Sequence, residues 1–283
     1  FAVNELGADV GIMVTASHNP GSDNGYKVYL GGTVDGVNYR GSQIISPADK
    51  EISAEIEKIE SLSSIPRAHT WEILSEDIVE KYVDRTKVLA PRPGDLKIVY
   101  TAMHGVGTET LQRVFHKAGF ASPILVDAQA APDPDFPTVA FPNPEEPGAI
   151  DLALETARTF DADLVIANDP DADRCAAAVN DPVTGWRMLR GDELGAILGE
   201  SIARKSSDGI FANSIVSSSI LKKIAGHYNI EFKETLTGFK WLAKVKDLTF
   251  GYEEALGYAV DAVTVNDKDG ISAAITLAQI ATA

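Results

Sequence analysis

The apolar run Leu164-Val165-Ile166-Ala167 is followed at once by the polar run Asn168-Asp169-Pro170-Asp171-Ala172-Asp173-Arg174. Four apolar residues bounded by polar ones predict a short buried strand, and the acidic run then forms the loop at its carboxyl end. Open α/β sheets place their ligands at that edge. We therefore interpret residues 168–174 as part of a binding site and not as a scaffold turn.

The aspartates of this loop alternate along the chain, at Asp169, Asp171 and Asp173. Carboxylates at positions i, i+2 and i+4 can converge on one hard cation. Mg²⁺ takes a few protein oxygens at about 2.0–2.1 Å and completes its shell with water or phosphate oxygens. The spacing therefore predicts a magnesium site that leaves room for a phosphate oxygen.

Other site classes also begin with such a run. An EF-hand loop needs Gly at its sixth position and Glu at its twelfth, where this chain has Arg174 and Asn180. An aspartyl-phosphate phosphatase would use Asp169 as its nucleophile. By resemblance, such sites have Thr or Val at the position where this chain has Asp173. A solvated acidic turn is the remaining alternative, and the apolar strand in front and Arg174 behind weigh against it.

A second polar run, Thr15-Ala16-Ser17-His18-Asn19-Pro20, follows the apolar segment Gly11-Ile12-Met13-Val14, which predicts a strand. A serine hydroxyl is a poor nucleophile unless a base, a metal or prior phosphorylation changes it. We do not expect His18 to serve simply as that base, because neighbouring side chains of an extended segment point to opposite faces.

Both runs, read with Asn24-Gly25-Tyr26-Lys27-Val28-Tyr29, resemble the α-D-phosphohexomutase family, which includes phosphoglucomutases and phosphomannomutases. The resemblance extends over nearly the whole chain. It implies that Ser17 carries a phosphoryl group. It also implies a metal-ligand set made of the serine phosphate and the three aspartates, namely Ser17, Asp169, Asp171 and Asp173, with Mg²⁺ as the cofactor.

The resemblance assigns further catalytic residues beside this centre. Arg174 matches the family arginine next to the metal loop, and Lys27 matches a lysine implicated in proton transfer. His18 belongs to the same catalytic set through its place in the serine motif. Lys27 can exchange a proton with the substrate hydroxyl only if nearby cations lower its pKa.

Later motifs follow in the order that the family has. Residues 101–107 resemble the glycine turn that opens a second domain. His104 in this turn either lies near an anion site made by free backbone N–H groups, or the run is only a tight turn that needs glycine. Residues 252–257 match the sugar-reading loop, with Ala255 where many members have a serine that bonds a sugar oxygen. This variant resembles some bacterial hexomutases and the animal phosphopentomutases. The implied substrate-binding residues are Thr237, Gly238, Lys240, Glu253 and Ala255.

The reaction implied is an intramolecular phosphoryl transfer between the 1- and 6-positions of a hexose phosphate, glucose and/or mannose. Phospho-Ser17 donates to a sugar monophosphate, the resulting bisphosphate reorients, and its other phosphate returns to Ser17. A sugar bisphosphate is then the priming activator. Alternatives are a phosphopentomutase of the same family, a magnesium-dependent phosphohydrolase that uses the Asp169 loop, and a catalytically silent binding module.

The order of predicted elements indicates the fold class. Strands and helices alternate on both sides of a helix predicted to begin at Gly191, which is typical of layered βα domains. The run Ala90-Pro91-Arg92-Pro93-Gly94 predicts a linker, and the proline-rich residues 132–148 predict an irregular loop. The resemblance implies a multidomain α/β protein of repeated mixed-sheet domains, with helices packed on both faces and the active site in the cleft between domains. The expected domains are 1–90, 91–190 and 191–283.

The termini suggest a piece of a longer protein. Phe1 is not an initiator methionine, and Ala283 ends a helix-like run. By resemblance, the start of domain 1 and a fourth domain that binds the distal phosphate lie outside the chain. We expect residues 1–283 alone to bind Mg²⁺ but to turn over poorly, because a lost phosphate clamp removes positioning energy.

Composition restricts the class of partner. The chain has 41 acidic and 25 basic residues, a net charge of −16, so local cations must attract an anionic sugar phosphate and nucleic acid is not an expected partner. No apolar run approaches the roughly 20 residues that span a bilayer, and no basic and apolar leader is present. These features predict a cytoplasmic enzyme that is not a membrane protein. The only cysteine, Cys175, is expected to be an inert core residue.

Overall fold

The computed structural model describes residues 1–34, 36–205 and 208–282. Its first part contains an antiparallel sheet with strand order β1-β2-β5, and a small β3-β4 hairpin. Val14 pairs with Tyr26, so residues 15–25 form the loop of the β1-β2 hairpin. The elements of this part are α1 (Ala2–Glu5), β1 (Val10–Val14), β2 (Tyr26–Leu30), β3 (Thr33–Val34), β4 (Val37–Asn38), β5 (Ser42–Gln43) and α2 (Ala48–Glu57).

The second part contains a mixed five-stranded sheet. Its strand order is β10-β9-β8-β6-β7; β7, β6 and β8 are parallel, β9 is antiparallel to β8, and β10 is antiparallel to β9. All four residues of β8 are buried, as the apolar run predicts. The elements are α3 (Asp77–Thr86), β6 (Ile98–Thr101), α4 (Gly107–Ala118), β7 (Ile124–Leu125), α5 (Asp151–Phe160), β8 (Leu164–Ala167), β9 (Ala176–Asp181) and β10 (Gly185–Met188).

The third part repeats this plan with four strands. Their order is β12-β11-β13-β14, and only β14 runs antiparallel to its neighbour within the described residues. The helix predicted to begin at Gly191 does so. The elements are α6 (Gly191–Ala203), β11 (Ile210–Ser214), α7 (Ile220–Tyr228), β12 (Glu231–Thr235), α8 (Phe239–Leu242), β13 (Leu248–Glu253), β14 (Gly257–Ala259) and α9 (Gly270–Ala281).

Two features differ from the simple pattern of the sequence. The first sheet is antiparallel in its described strands, whereas the second and third sheets are mixed as expected. Helix α3 precedes the predicted linker, yet it packs on α4, where Lys117 pairs with Glu80 at 2.6 Å and Arg113 with Glu76 at 2.8 Å. The proline-rich residues 132–148 contain no helix or strand.

A continuous apolar core joins the second and third parts. Its buried side chains come from β6, β8, α4, α6 and α9, and burial of each large apolar side chain contributes about 1.5–3 kcal/mol. Helix α9 packs against both α4 and β14. The loop after β8 is therefore held between two sheets that share one core. None of the helices in the described ranges combines the length and apolar content needed to cross a membrane.

Candidate active site

The three predicted aspartates lie together at the carboxyl end of β8. Ligand oxygens of Asp169, Asp171 and Asp173 all lie within 4.8 Å of one another. A tight turn brings them there, since Ala172 has a φ of 57° and its N–H donates to the carbonyl oxygen of Asp169 at 2.8 Å. The N–H of Arg174 donates to Asp169 Oδ1 at 2.9 Å. This turn makes one acidic centre out of three alternate residues.

Two backbone hydrogen bonds from neighbouring elements and one side-chain bond within the loop fix its conformation. The N–H of Val106, just before α4, donates to Pro170 O at 2.9 Å. The N–H of Gly270, at the start of α9, donates to Ala172 O at 3.1 Å. The side-chain amide of Asn168 donates to Arg174 O at 2.6 Å. Because the acidic loop is held at three points along its length, its carboxylates are preorganised.

Burial and mutual repulsion dominate the electrostatics of the carboxylates. Burial, followed by the charges of Asp173 and Asp171, raises the pKa of Asp169. Burial also acts to raise the pKa of Asp171, but the Lys27 ammonium outweighs it and the net pKa is lowered. The acidic centre therefore favours positive charge nearby.

Two lysines supply that charge in the structure. Lys27 Nζ lies 3.0 Å from Asp171 Oδ2 and 2.7 Å from Asp173 Oδ2, and Lys268 Nζ donates to the same Asp173 oxygen. Burial lowers the pKa of Lys27, but the Asp173 and Asp171 carboxylates raise it by more. Carboxylates therefore dominate the surroundings of Lys27 and its pKa is raised, whereas the expected proton exchange requires a lowered pKa.

The donor set fits a divalent cation. Asp173 Oδ1 is buried without a hydrogen-bond partner, although its carboxylate faces other polar groups. An orphaned carboxylate oxygen is costly when buried, and a hard cation would satisfy it. Within the described part of the chain, Asp169, Asp171 and Asp173 form the one group of this kind.

Ser17 reaches this acidic centre from the β1-β2 hairpin loop. Its Oγ lies 3.3 Å from Asp169 Oδ2 and 3.3 Å from Asp171 Oδ1. Thr15 Oγ1 donates to Asp171 Oδ2 at 3.1 Å and accepts from the Ser17 N–H at 2.8 Å. The hairpin loop is therefore attached to the acidic loop through side chains, and the hydroxyl of Ser17 faces two carboxylates.

His18 lies beside the serine hydroxyl, contrary to the expectation from an extended segment. Its Nδ1 lies 3.1 Å from Ser17 Oγ. The expectation was wrong because Ser17 has a φ of 55°, which turns the chain and brings the two side chains to one side. Burial, followed by the Arg174 charge, lowers the pKa of His18. Both effects favour a neutral ring against Ser17.

Arg174 lies between the acidic loop and the loop after β13. Its Nε is 3.9 Å from Asp169 Oδ2 and has no hydrogen-bond partner of its own. Its backbone forms an isolated bridge with Gly257, and the next N–H, of Cys175, donates to Leu256 O at 3.0 Å. The acidic loop and the predicted sugar loop are therefore in direct contact. Cys175 is buried and free, as expected.

The predicted sugar-binding residues lie at the carboxyl ends of β12 and β13. Glu253 Oε1 accepts from the Gly238 N–H at 2.5 Å, which ties these two loops together, and burial raises the pKa of Glu253. Thr237 is exposed, Ala255 is partly exposed, and the Lys240 ammonium lies 5.8 Å from the centre of the Trp241 ring.

Some residues of the site were missed by sequence reasoning. Lys268 contacts Asp173 across almost a hundred residues of chain, and Thr15 lies between Ser17 and Asp171. A signal was available for the helix after Lys268, because Asp269 accepts from two N–H groups at the start of α9. Nothing in the local pattern marks Lys268, and Thr15 stands in the serine motif without a role of its own. His104 is buried, and its Nε2 lies 2.8 Å from Thr138 Oγ1. Its ring therefore contacts the irregular loop of residues 132–148.

The fold and the site together define a multidomain α/β protein in which a serine hydroxyl faces a preorganised carboxylate centre. Three family models match the chain in order. They describe the α/β/α domains I, II and III of phosphoglucomutase/phosphomannomutase and match residues 1–63, 77–185 and 190–283. The chain belongs to this family, the α-D-phosphohexomutases.

Named relatives carry several activities of the family. The chain is 49% identical over 280 residues to a "probable phosphomannomutase" of Haemophilus influenzae, covering 97% of this chain and 57% of that protein. It is 40% identical to human phosphopentomutase, covering 99% of this chain and 50% of that one. It is 38% identical to human glucose 1,6-bisphosphate synthase, covering 99% of this chain and 49% of that protein. The chain spans about half the length of the curated relatives it matches.

Solved structures agree on the fold. A phosphoglucomutase/phosphomannomutase family protein of Burkholderia thailandensis superposes with a TM-score of 0.79 at 20% identity, covering 96% of this chain and 55% of that one. The open form of the Paramecium phosphoglucomutase parafusin superposes with a TM-score of 0.68 at 21% identity, covering 99% and 54%. At these identities the likeness concerns the fold alone.

Proposed function

We propose that the protein is a phosphosugar mutase that moves a phosphoryl group between the 1- and 6-positions of a hexose phosphate through phospho-Ser17. The observation that supports this most is the position of Ser17 Oγ, 3.3 Å from oxygens of both Asp169 and Asp171. A phosphoryl group on that oxygen would lie against the acidic centre. Such proximity would be repulsive without a cation, and therefore the site implies one.

Asp169, Asp171 and Asp173 would hold Mg²⁺, with a Ser17 phosphate oxygen completing the set. When bound, the ion neutralises charge on the phosphoryl oxygens, the main requirement of phosphoryl transfer. The residues of the chain supply the positioning. The turn at Ala172 fixes the carboxylates, and Thr15 fixes the backbone of Ser17.

Local cations offset the net charge of −16 at this site. Arg174, Lys27 and Lys268 all lie at the acidic centre, and their positive charges attract the anionic substrate and stabilise charge that develops during transfer. Lys27 is the group that we propose for proton exchange with the sugar hydroxyl. A divalent cation would compete with Lys27 for Asp171 and Asp173, which would free the ammonium from these carboxylates.

A hexose is the first choice of substrate and a pentose the second. The relative at 49% identity is named a phosphomannomutase, whereas relatives at 38 to 40% identity are named phosphoribomutase or phosphopentomutase. Ala255 offers no hydroxyl to a sugar oxygen, whereas Glu253 in the same loop offers a carboxylate acceptor. Discrimination between such sugars rests on single hydrogen bonds.

The test compares the full-length protein with its Ser17→Ala variant. Both are assayed with Mg²⁺, a trace of glucose 1,6-bisphosphate, and glucose 1-phosphate, mannose 1-phosphate or ribose 1-phosphate in turn. We expect isomerisation of a hexose phosphate by the wild type and a loss of at least about 1000-fold in Ser17→Ala, because the phosphoryl carrier is gone. Mass spectrometry should find phosphate on Ser17 in the wild type.

Ser22→Ala is the matched control. Ser22 lies in the same hairpin loop and is exposed, and its Oγ donates to the neighbouring Asp23 at 3.5 Å. This variant should keep full activity. Phosphate release that survives Ser17→Ala would instead identify a phosphohydrolase of the Asp169 loop. A strong preference for ribose 1-phosphate would identify a phosphopentomutase, and ligand binding without either reaction would identify a binding module.

A further inference from the structure

The irregular loop of residues 132–148, here called the proline-rich loop, contacts the hairpin loop that carries Ser17. A Cβ added to Gly21 would lie 2.1 Å from Pro134 O, so the two backbones touch at this point. The rings of Phe141 and His18 meet edge to face, with centroids 5.9 Å apart and an interplanar angle of 70°. The loops thus meet at a backbone contact and through a pair of rings.

The ring contact continues directly to the serine hydroxyl. His18 Nδ1 lies 3.1 Å from Ser17 Oγ, on a ring whose plane Phe141 restricts. Edge-to-face geometry favours one relative orientation of two rings, because the positive edge of one meets the negative face of the other. Phe141 is only partly buried, so packing in the main core does not account for its placement.

We propose that Phe141 is a positioning residue that holds the His18 ring in the orientation that hydrogen-bonds Ser17 Oγ. The proposal rests on the proposed function of Ser17 as phosphoryl carrier. The observed route from Phe141 to this centre runs through the His18 ring, which lies against Ser17 Oγ. Its role is to keep the hydroxyl aimed when the phosphoryl group has left, so that the returning phosphate meets an aligned oxygen.

The same loop offers a matched control. Phe136 packs edge to face on a second histidine, His104, with centroids 6.5 Å apart and the same interplanar angle of 70°. His104 bonds Thr138 of the proline-rich loop itself. Truncation of Phe136 therefore removes a comparable ring pair from the same loop without touching the hairpin loop.

The experiment measures steady-state kinetics of the full-length protein with Phe141→Leu, Phe136→Leu and Phe141→Tyr. We expect Phe141→Leu to lower kcat about tenfold with KM nearly unchanged, because alignment of the hydroxyl is lost while the sugar site is intact. Phe136→Leu should stay within about twofold of the wild type, and Phe141→Tyr, which keeps the ring, should restore kcat. Equal losses in both Leu variants, or no recovery in Phe141→Tyr, would overturn the proposal.

A double-mutant cycle separates positioning from a general structural effect. If Phe141 acts through the His18 ring, Phe141→Leu should cost nothing more in a His18→Ala background. Fully additive losses would contradict this route.

A measurement that does not depend on catalysis tests the role of Phe141 separately from the proposed function. The His18 ring proton resonances should shift in Phe141→Leu and stay in place in Phe136→Leu, because Phe141 pairs with the His18 ring whereas Phe136 pairs with His104. Unshifted resonances would overturn the inference even in an active enzyme. A wild type that moves no phosphate but shows the shift would refute the function alone.

Discussion

The loop after β8 and the hairpin loop after β1 each bring one half of the centre, yet they are held in opposite ways. The loop after β8 follows a strand whose residues are all buried, and neighbouring backbones bond it along its length. The hairpin loop follows a strand in which Ile12 is 62% exposed and Val14 is 82% exposed. The hairpin loop contacts the acidic loop through the side chains of Thr15 and Ser17, and Lys27 on the adjoining β2 adds a further side-chain contact.

This difference fits two different tasks in the proposed reaction. A carboxylate frame for a cation must be rigid, because electrostatic stabilisation is effective only when the dipoles need no reorganisation. A carrier hydroxyl must meet a sugar phosphate in solution, and therefore it has to remain accessible. We infer that the core fixes the acidic loop, and that the acidic loop in turn positions the hairpin loop.

Among the changes that test this comparison, the largest effect is expected from Gly270, on the rigid side. A Cβ there would lie 2.2 Å from Arg174 O and 2.7 Å from Ala172 O, both backbone atoms of the acidic loop. Gly270→Ala should therefore displace the carboxylates. We expect a loss of about 1–3 kcal/mol in the free energy of unfolding and about a 100-fold loss of activity, with weaker Mg²⁺ binding by calorimetry.

Gly226→Ala is the control for Gly270→Ala. Gly226 lies inside α7, and an added Cβ meets nothing within 4 Å. This variant should be stabilised by roughly 0.5–1 kcal/mol through its better helix propensity, with unchanged activity. Tight Mg²⁺ binding by Gly270→Ala would show that the acidic loop tolerates movement, contrary to the comparison above.

A smaller effect is expected on the side-chain-held loop from Thr15→Val. The change keeps the shape but removes the hydroxyl that accepts from Ser17 N–H and donates to Asp171. We expect kcat to fall about tenfold, the free energy of unfolding to change by about 1 kcal/mol, and Mg²⁺ affinity to stay the same. Kinetics and calorimetry on one preparation measure all three.

Thr156→Val makes the same chemical change elsewhere. Thr156 Oγ1 donates to Leu152 O at 2.7 Å within α5, away from the centre. Its kcat should equal that of the wild type. If Thr15→Val weakens Mg²⁺ binding as strongly as Gly270→Ala, the hairpin loop supports the acidic loop and the inferred order of support is reversed.

The same contrast explains what the sequence could predict. The apolar run 164–167 determines a buried strand locally, so the loop at its carboxyl end could be placed without knowledge of other elements. The alternation of strands and helices after Ile98 was likewise a local signal. In the hairpin loop, Ser17 has the left-handed backbone conformation that brings its side chain beside His18. The sequence could not predict this conformation, since Ser rarely adopts it.

Local sequence patterns could not predict contacts between distant segments. Lys268 on Asp173 and Phe141 on His18 join residues that are 95 and 123 positions apart, and each side chain is ordinary for its own segment. Such pairs depend on how the three sheets are packed together. The family resemblance supplied the main candidate site residues, whereas the neighbours that support them could be found only from the fold.

The smallest expected effect is on stability and concerns Lys244. This residue joins the β1-β2-β5 sheet, here called the hairpin sheet, to the third part. Its ammonium lies 3.9 Å from the Tyr39 ring centre and donates to Gln43 O at 3.0 Å. Burial lowers the pKa of Lys244 to about 8, against the opposing charge of Asp267. An unfolded lysine has a pKa of about 10.4. Between these values the unfolded chain binds a proton that the folded chain lacks, so this contribution to stability rises with pH.

Removing this lysine should flatten that dependence. The free energy of unfolding of the wild type minus that of Lys244→Met should become more positive from about pH 8 to pH 10, by less than about 1 kcal/mol because the group is partly exposed. Urea denaturation at several pH values measures it, with the exposed Lys246→Met as control. A difference that falls with pH would mean that the folded junction binds the proton more tightly than the unfolded chain. The hairpin sheet would then be anchored to the third part by a charged contact, which would make the side-chain-held half of the centre firmer than the comparison allows.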